Sequence, residues 1–255
     1  MNALVPITIR IRQSGRIQII SYDRPERLNA WNVACARETI SAVVQANADP
    51  GIGAIVLTGE GTTFCAGADM KEGTEYDPET GHRLTPASFT MGSGDHNWID
   101  LLARSKPVIA AINGLAVGIG ASHSLAADIR VAAESASFSF PFLKLGAMPE
   151  CGSTALLPRL IGPGRAIDVL LRSSTISAQE ALAWGLVTQI FPDAELLDGA
   201  IAIAQQLAEL PELQVRLTKQ MLTANAENGD AHAIMRNESE AFIQLLKAAR
   251  REKPL

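Results

Sequence analysis

Three cysteines in 255 residues, Cys35, Cys65 and Cys151, are odd in number and lack CxxC spacing, which excludes both a disulfide framework and a cysteine zinc site. No apolar run reaches the roughly 18 residues of a membrane span, and no signal-peptide pattern opens the chain. A cytoplasmic protein with no membrane partner is therefore expected. Positive charge is scarce as well: the net charge is −5 and the basic residues are scattered, which argues against a nucleic-acid surface. Only Lys247, Arg250, Arg251 and Lys253 gather, and they read as a solvated helix end. What the chain does have is 47% hydrophobic and 19% charged residues, enough to bury one large domain or a domain with a helical appendage.

The most informative stretch is Pro107 to Asp128, PVIAAINGLAVGIGASHSLAAD, where an apolar run gives way to three close glycines and then to an Ala/Leu-rich helical pattern. It reads as strand, tight turn and helix start. Gly114, Gly118 and Gly120 let backbone approach a ligand, and the first N–H groups of the following helix lack intrahelical partners. Such a loop suits negative charge. A second strand, Ala54 to Thr58, runs into GEGTTFCAGADMKEG, which ends on another helix start. The two loops repeat one design.

Around them, Ile7 to Ile11 and Gly15 to Tyr22 read as a hairpin, and Asn32 as the cap of a helix stopped by Asp49-Pro50-Gly51. Residues 73 to 95 are polar and weakly periodic, the profile of a surface loop or mobile helix. Strands are expected at Pro107 to Asn113 and Asp128 to Ala132, and helices at Trp98 to Ala103, Leu196 to Leu210, Leu213 to Ala226 and Ala231 to Arg251. Ser177 and Glu180 form a capping box, with Gly185 closing its helix. The class is α/β, with a core over 1–195 and a helical region over 196–255.

Taken in order, RPERLNA, IVLTGEGTTFCAGADMKE, KPVIAAINGLAVGIGAS, AADIRVAAESASFSFPFLKLGAMPECGS, LPRLIG and ISAQEALAWGLVTQIFP resemble the crotonase, or enoyl-CoA hydratase/isomerase, superfamily over nearly the whole chain. The resemblance implies a spiral of ββα units, a C-terminal trimerisation region with trimers often pairing into hexamers, and an acyl-CoA thioester substrate. No cofactor beyond that CoA and no metal is implied. Negative charge that develops on the thioester oxygen would be held by two backbone N–H donors, which the family pattern maps to Ala68 and Ile119. Gly67, Gly118 and Gly120 would serve geometry. CoA would lie against Leu28, Ala66, Gly67, Ala68 and Met70, with Lys71 and the C-terminal basic cluster as weaker candidates; Asp69, Gly118 and Phe142 complete the expected substrate contacts.

The chain departs from the hydratase pattern where it matters. The two glutamates that hold and activate water in hydratases of the family map to Ser122 and Phe142. Glu150, in LGAMPECGS, instead falls where family isomerases carry a carboxylate in a Pro-Glu/Asp turn. One carboxylate suffices to move a double bond from the 3 to the 2 position, and Phe138, Phe140, Phe142 and Met148 are expected to desolvate it and raise its pKa. A surface helix-cap role for Glu150 is the bland alternative.

Other readings stay open at this point. Hydration of 2-enoyl-CoA, thioester or C–C hydrolysis on the same fold, and acyl-CoA binding without catalysis all fit the motifs. His123 beside Ser122 could act as a base, but no G-x-S-x-G elbow is present and a packed histidine is expected. Asp69 is expected to hydrogen-bond locally, and Cys65 and Cys151 to be buried and structural. A dinucleotide-binding enzyme fails because GLAVGIGASHS lacks the third glycine of G-x-G-x-x-G.

Overall fold

The hairpin opens the chain as expected: β1 (Ile9–Ser14) and β2 (Ile17–Tyr22) pair antiparallel about Gly15, whose φ of 56° suits a two-residue turn. The computed structural model describes residues 6–71, 75–76, 83–84, 97–226 and 229–252. The expectation for residues 73 to 95 falls almost wholly outside them; within it only β5 (Glu75–Tyr76) and β6 (Arg83–Leu84) are seen, paired antiparallel. The side chains of Arg250, Arg251 and Lys253 also lie outside the described residues.

Two sheets carry the core. β3 (Ala54–Gly59), β7 (Val108–Ile112), β9 (Ile129–Ala133) and β12 (Gln189–Phe191) extend the hairpin into a six-stranded sheet of order β1-β2-β3-β7-β9-β12, parallel from β2 onward. β4 (Thr63–Cys65), β8 (Leu115–Val117), β10 (Ser137–Ser139) and β11 (Thr175–Ser177) form a four-stranded sheet of order β11-β10-β8-β4. Three times in succession, β3 to β4, β7 to β8 and β9 to β10, the chain places one strand in the first sheet and the next in the second. That repeat is the ββα spiral. β7 is apolar throughout, and β3 from Ala54 to Leu57, because the parallel sheet is buried on both faces.

Helix α1 (Val33–Ala48) starts where Asn32 Oδ1 accepts from the Cys35 amide at 2.7 Å, and packs on β1 and β2. α2 (Trp98–Arg104) and the short α3 (Ile119–Ser124) follow. α4 (Ser153–Ile161), α5 (Pro163–Arg172) and α6 (Ala178–Trp184) come next; the capping box of α6 is formed on both sides, Ser177 Oγ with the Glu180 amide and Glu180 with the Ser177 amide. α7 (Leu196–Ala208) lies on the six-stranded sheet through Ala200, Ala204 and Ala208, a small-residue row that lets helix and sheet approach closely. α8 (Glu212–Asn225) and α9 (Ala231–Glu252) pack on each other, and the ammonium of Lys219 ties α8 to the core through the Asp128 carboxylate at 2.7 Å. No helix among the described residues is long and apolar enough to cross a membrane.

The stretch from Pro107 to Asp128 differs from its sequence reading in two ways. Its glycine turn contains a strand, β8, because Leu115–Val117 pair with both β4 and β10. Gly114 permits this: a Cβ there would overlap the Thr62 carbonyl oxygen. The helix is also shorter than its Ala/Leu pattern, ending at Ser124. The helix start expected after CAGAD falls on residues outside the described set.

Candidate active site

The first loop leaves β4 as Ala66-Gly67-Ala68-Asp69 and lies along residues 28–31. The Ala66 amide donates to the Leu28 carbonyl at 3.0 Å, the Trp31 amide to the Gly67 carbonyl at 2.8 Å, and the Asp69 amide to the Trp31 carbonyl at 2.8 Å. Because the Gly67 carbonyl is held by Trp31, the trans N–H of the same peptide unit, that of Ala68, must point the opposite way. Among the described residues it meets no acceptor. Gly67 has φ of 98° and its missing Cβ would sit 3.1 Å from the Val117 carbonyl oxygen, so the loop needs glycine both for conformation and for close approach.

The second loop obeys the same logic. The Gly118 carbonyl accepts from the amides of Ala121 at 3.1 Å and Ser122 at 2.9 Å, which turns the N–H of Ile119, on the same peptide unit, away from the helix. It too meets no acceptor among the described residues. The Gly118 amide is anchored to the Ser139 carbonyl at 2.9 Å. Gly120 fits under β4: a Cβ there would overlap the Cys65 carbonyl oxygen and lie 2.8 Å from the Cys65 Cβ. The two loops are thus in contact, each with one backbone donor left without an acceptor among the described residues.

Asp69 supports the first loop from below. Its carboxylate meets Arg24 at 3.0 Å and Arg27 at 2.8 Å, and accepts from the Lys71 amide at 3.0 Å. Burial pushes its pKa up, but the Lys71 amide and the two guanidiniums outweigh burial and hold it below the usual carboxylate value. Asp69 thus makes the local hydrogen bond expected of it, to the Lys71 amide, and through Arg24 and Arg27 it positions the loop. Asn29, in the left-handed conformation and 1% exposed, completes the scaffold by donating to the carbonyls of Glu60 and Thr63. Sequence reasoning missed Arg24, Arg27 and Asn29 as individuals; the signal was RPERLNA, a run rich in polar side chains beside a core loop.

Glu150 follows the 3-10 turn at 143–145 and precedes two consecutive left-handed residues, Cys151 at φ 51° and Gly152 at φ 71°. Its carbonyl accepts from the Ser153 amide at 3.0 Å, so it lies outside α4 and is no helix cap of the expected kind. A left-handed Cys151 is strained, which is characteristic of functional turns. The turn packs on α2: the missing Cβ of Gly152 would overlap the Ile99 side chain. Burial raises the Glu150 pKa from 4.5 to about 7. Phe142 is buried beneath Gly118, 3.9 Å from where a Cβ would be, and Phe138 and Phe140 are fully buried. Met148 departs from its expected role, since it is 75% exposed rather than packed inward.

The remaining expected residues divide clearly. Leu28, Ala68 and Met70 are exposed along the rim of the first loop. All three cysteines are buried, and burial pushes the thiols of Cys35 and Cys65 up, Cys65 to about 12, so neither offers a thiolate. Ser122 and His123 do not pair: Ser122 Oγ is buried without a partner among the described residues, while the His123 ring bonds Tyr22 and the Ile119 carbonyl. Among the described residues no group of three or more His, Cys, Asp or Glu side chains could hold a metal ion.

The enoyl-CoA hydratase/isomerase family model matches residues 12–255. The chain is 37% identical over 217 residues to a 1,2-epoxyphenylacetyl-CoA isomerase of Escherichia coli K12, covering 83% of this chain and 80% of that one. It is 34% identical over 228 residues to a probable enoyl-CoA hydratase of Mycobacterium bovis, covering 89% and 86%. Among solved structures, an enoyl-CoA hydratase subunit from Geobacillus kaustophilus superposes with a TM-score of 0.82 at 32% identity, over 96% of this chain and 92% of that one. The chain belongs to the enoyl-CoA hydratase/isomerase family and is an enzyme of crotonase fold.

Proposed function

We propose that this enzyme shifts the double bond of a 3-enoyl-CoA to the 2 position, with Glu150 as the single acid/base. The observation that carries the reading is a half-buried carboxylate with its pKa near 7, in a chain whose two hydratase carboxylate positions hold Ser122, buried, and Phe142, apolar. The ionised Glu150 takes a proton from C2. Charge spreads onto the thioester oxygen, where the N–H groups of Ala68 and Ile119 stabilise the dienolate; each such donor is worth about 3 kcal/mol in comparable oxyanion holes. The protonated Glu150 returns a proton at C4, and the double bond ends between C2 and C3, conjugated with the carbonyl. A carboxyl near pH 7 suits both halves of that cycle. Leu28, Ala66 and Met70 line the side on which CoA enters.

Assembly into trimers, or pairs of trimers, completes the reading. The groove between α8 and α9, about 550 Å³ and lined by Leu217, Met221, Leu222, Ile234, Phe242 and Leu245, leaves apolar surface uncovered in a single chain. Light scattering should return three or six times the chain mass. For the reaction, purified enzyme given a 3-enoyl-CoA should generate conjugated-enoyl absorbance, while a 2-enoyl-CoA should gain little water. Rapid hydration with no isomerisation would overturn the proposal.

A further inference from the structure

His123 has no part in the proton chemistry above, yet it is a fully buried ionisable side chain beside the two donor loops. It is fully buried, and four aromatic rings surround it: Trp31 at 4.7 Å between centroids, Tyr22 at 5.5 Å, Phe64 at 5.7 Å and Trp98 at 5.8 Å. Nδ1 lies 2.7 Å from the carbonyl oxygen of Ile119, which can only accept, so Nδ1 carries the proton. Nε2 is then an acceptor, and the Tyr22 hydroxyl donates to it. The backbone carbonyl of His123 in turn accepts from Trp98 Nε1 at 2.9 Å.

These contacts reach both donor loops. Through Nδ1 the ring fixes the peptide that follows the Ile119 N–H, while Ala121 and Ser122 fix the one that contains it. Through its face the ring abuts Trp31, the residue whose amide holds the Gly67 carbonyl and thereby orients the Ala68 N–H. We propose that the Tyr22–His123 pair is a positioning device for the oxyanion site, bracing the Ile119 loop against the Ala68 loop so that the two N–H groups keep a fixed separation and direction. The proposal rests on the assignment of those two N–H groups as the oxyanion donors. A hydrophobic residue at 123 would fill the aromatic box but could not restrain the Ile119 peptide, so the histidine is used for its two opposed hydrogen bonds.

The test uses the full-length enzyme and a CoA thioester of a conjugated aryl-propenoic acid, whose absorbance moves to the red when hydrogen bonds polarise its carbonyl. His123→Leu should lose most of that shift and should lower kcat about 10- to 100-fold, with KM altered by less than about threefold, the cost of misplacing groups by about an ångström. His123→Asn, whose amide can still donate to the Ile119 carbonyl, should recover a large part of both. Tyr22→Phe, which keeps the ring packing, serves if His123→Leu does not fold, and should diminish the shift in the same direction. A wild-type shift retained in folded His123→Leu and Tyr22→Phe would overturn the brace alone. No shift in the wild-type enzyme would overturn the oxyanion assignment and the brace with it.

Discussion

The raised pKa of Glu150 makes a prediction that separates a catalytic base from an ordinary surface carboxylate. Glu150 must be ionised to accept the C2 proton, so kcat/KM for a 3-enoyl-CoA should follow its ionisation in the free enzyme. With a pKa of about 7, the carboxyl is about 1% ionised at pH 5 and about 90% at pH 8, so activity should rise about a hundredfold between them. With the ordinary value of 4.5 the same interval would change activity by only about a third. Stability should move the opposite way. Because the folded pKa is raised, folding favours the protonated form; that preference is fully present below pH 4.5 and is lost as pH rises through about 7. The displacement corresponds to at most about 3 kcal/mol, and water access to the half-buried group reduces it to roughly 1–2 kcal/mol. Glu150→Gln should therefore gain stability over wild type at pH 8 and not at pH 4. A rate profile with its midpoint near 4.5 would refute the reasoning.

Other perturbations probe the scaffold. Gly120→Ala drives a methyl into the Cys65 carbonyl and should cost about 1–3 kcal/mol in denaturant unfolding as well as activity, because the two donor loops must part. Asp69→Asn leaves two guanidiniums against a neutral amide, one of them Arg24 with a side chain only 10% exposed; a loss of about 3 kcal/mol is expected, together with weaker CoA binding by calorimetry. His123, its pKa lowered to about 4 by burial, binds its proton more weakly folded than unfolded. Chemical denaturation of wild type should accordingly show a stability contribution that is complete above pH 6.5 and is lost as pH falls toward about 4; His123→Asn should flatten that slope.

What the sequence made legible was mostly conformational demand. Gly67 at φ 98°, Gly118 at φ 52° with ψ −120°, and the absence of room for a Cβ at Gly120 all favour glycine, so the two loops stand out in the sequence. The capping box at Ser177 and Glu180 is equally local. Partners distant in sequence were not legible: Tyr22 and His123 are 101 positions apart, and Arg24 and Asp69 are 45 apart. The local hydrogen bond of Asp69 to the Lys71 amide is legible in the loop, whereas only the folded chain brings two arginines to it. Met148 misled because apolar type does not fix direction; within one short loop Phe142 turns inward and Met148 outward. Strand β8 escaped because three residues between glycines carry no period, and its identity comes from the neighbours on either side.

The most direct measurement is the turnover of Glu150→Gln on a 3-enoyl-CoA, followed by conjugated-enoyl absorbance under saturating substrate. Gln keeps the size and removes the base, so kcat should fall by about 10²- to 10⁴-fold, the range for loss of a positioned acid/base, while KM changes little. Isomerisation at the wild-type rate by the folded Gln variant would contradict the assignment of Glu150.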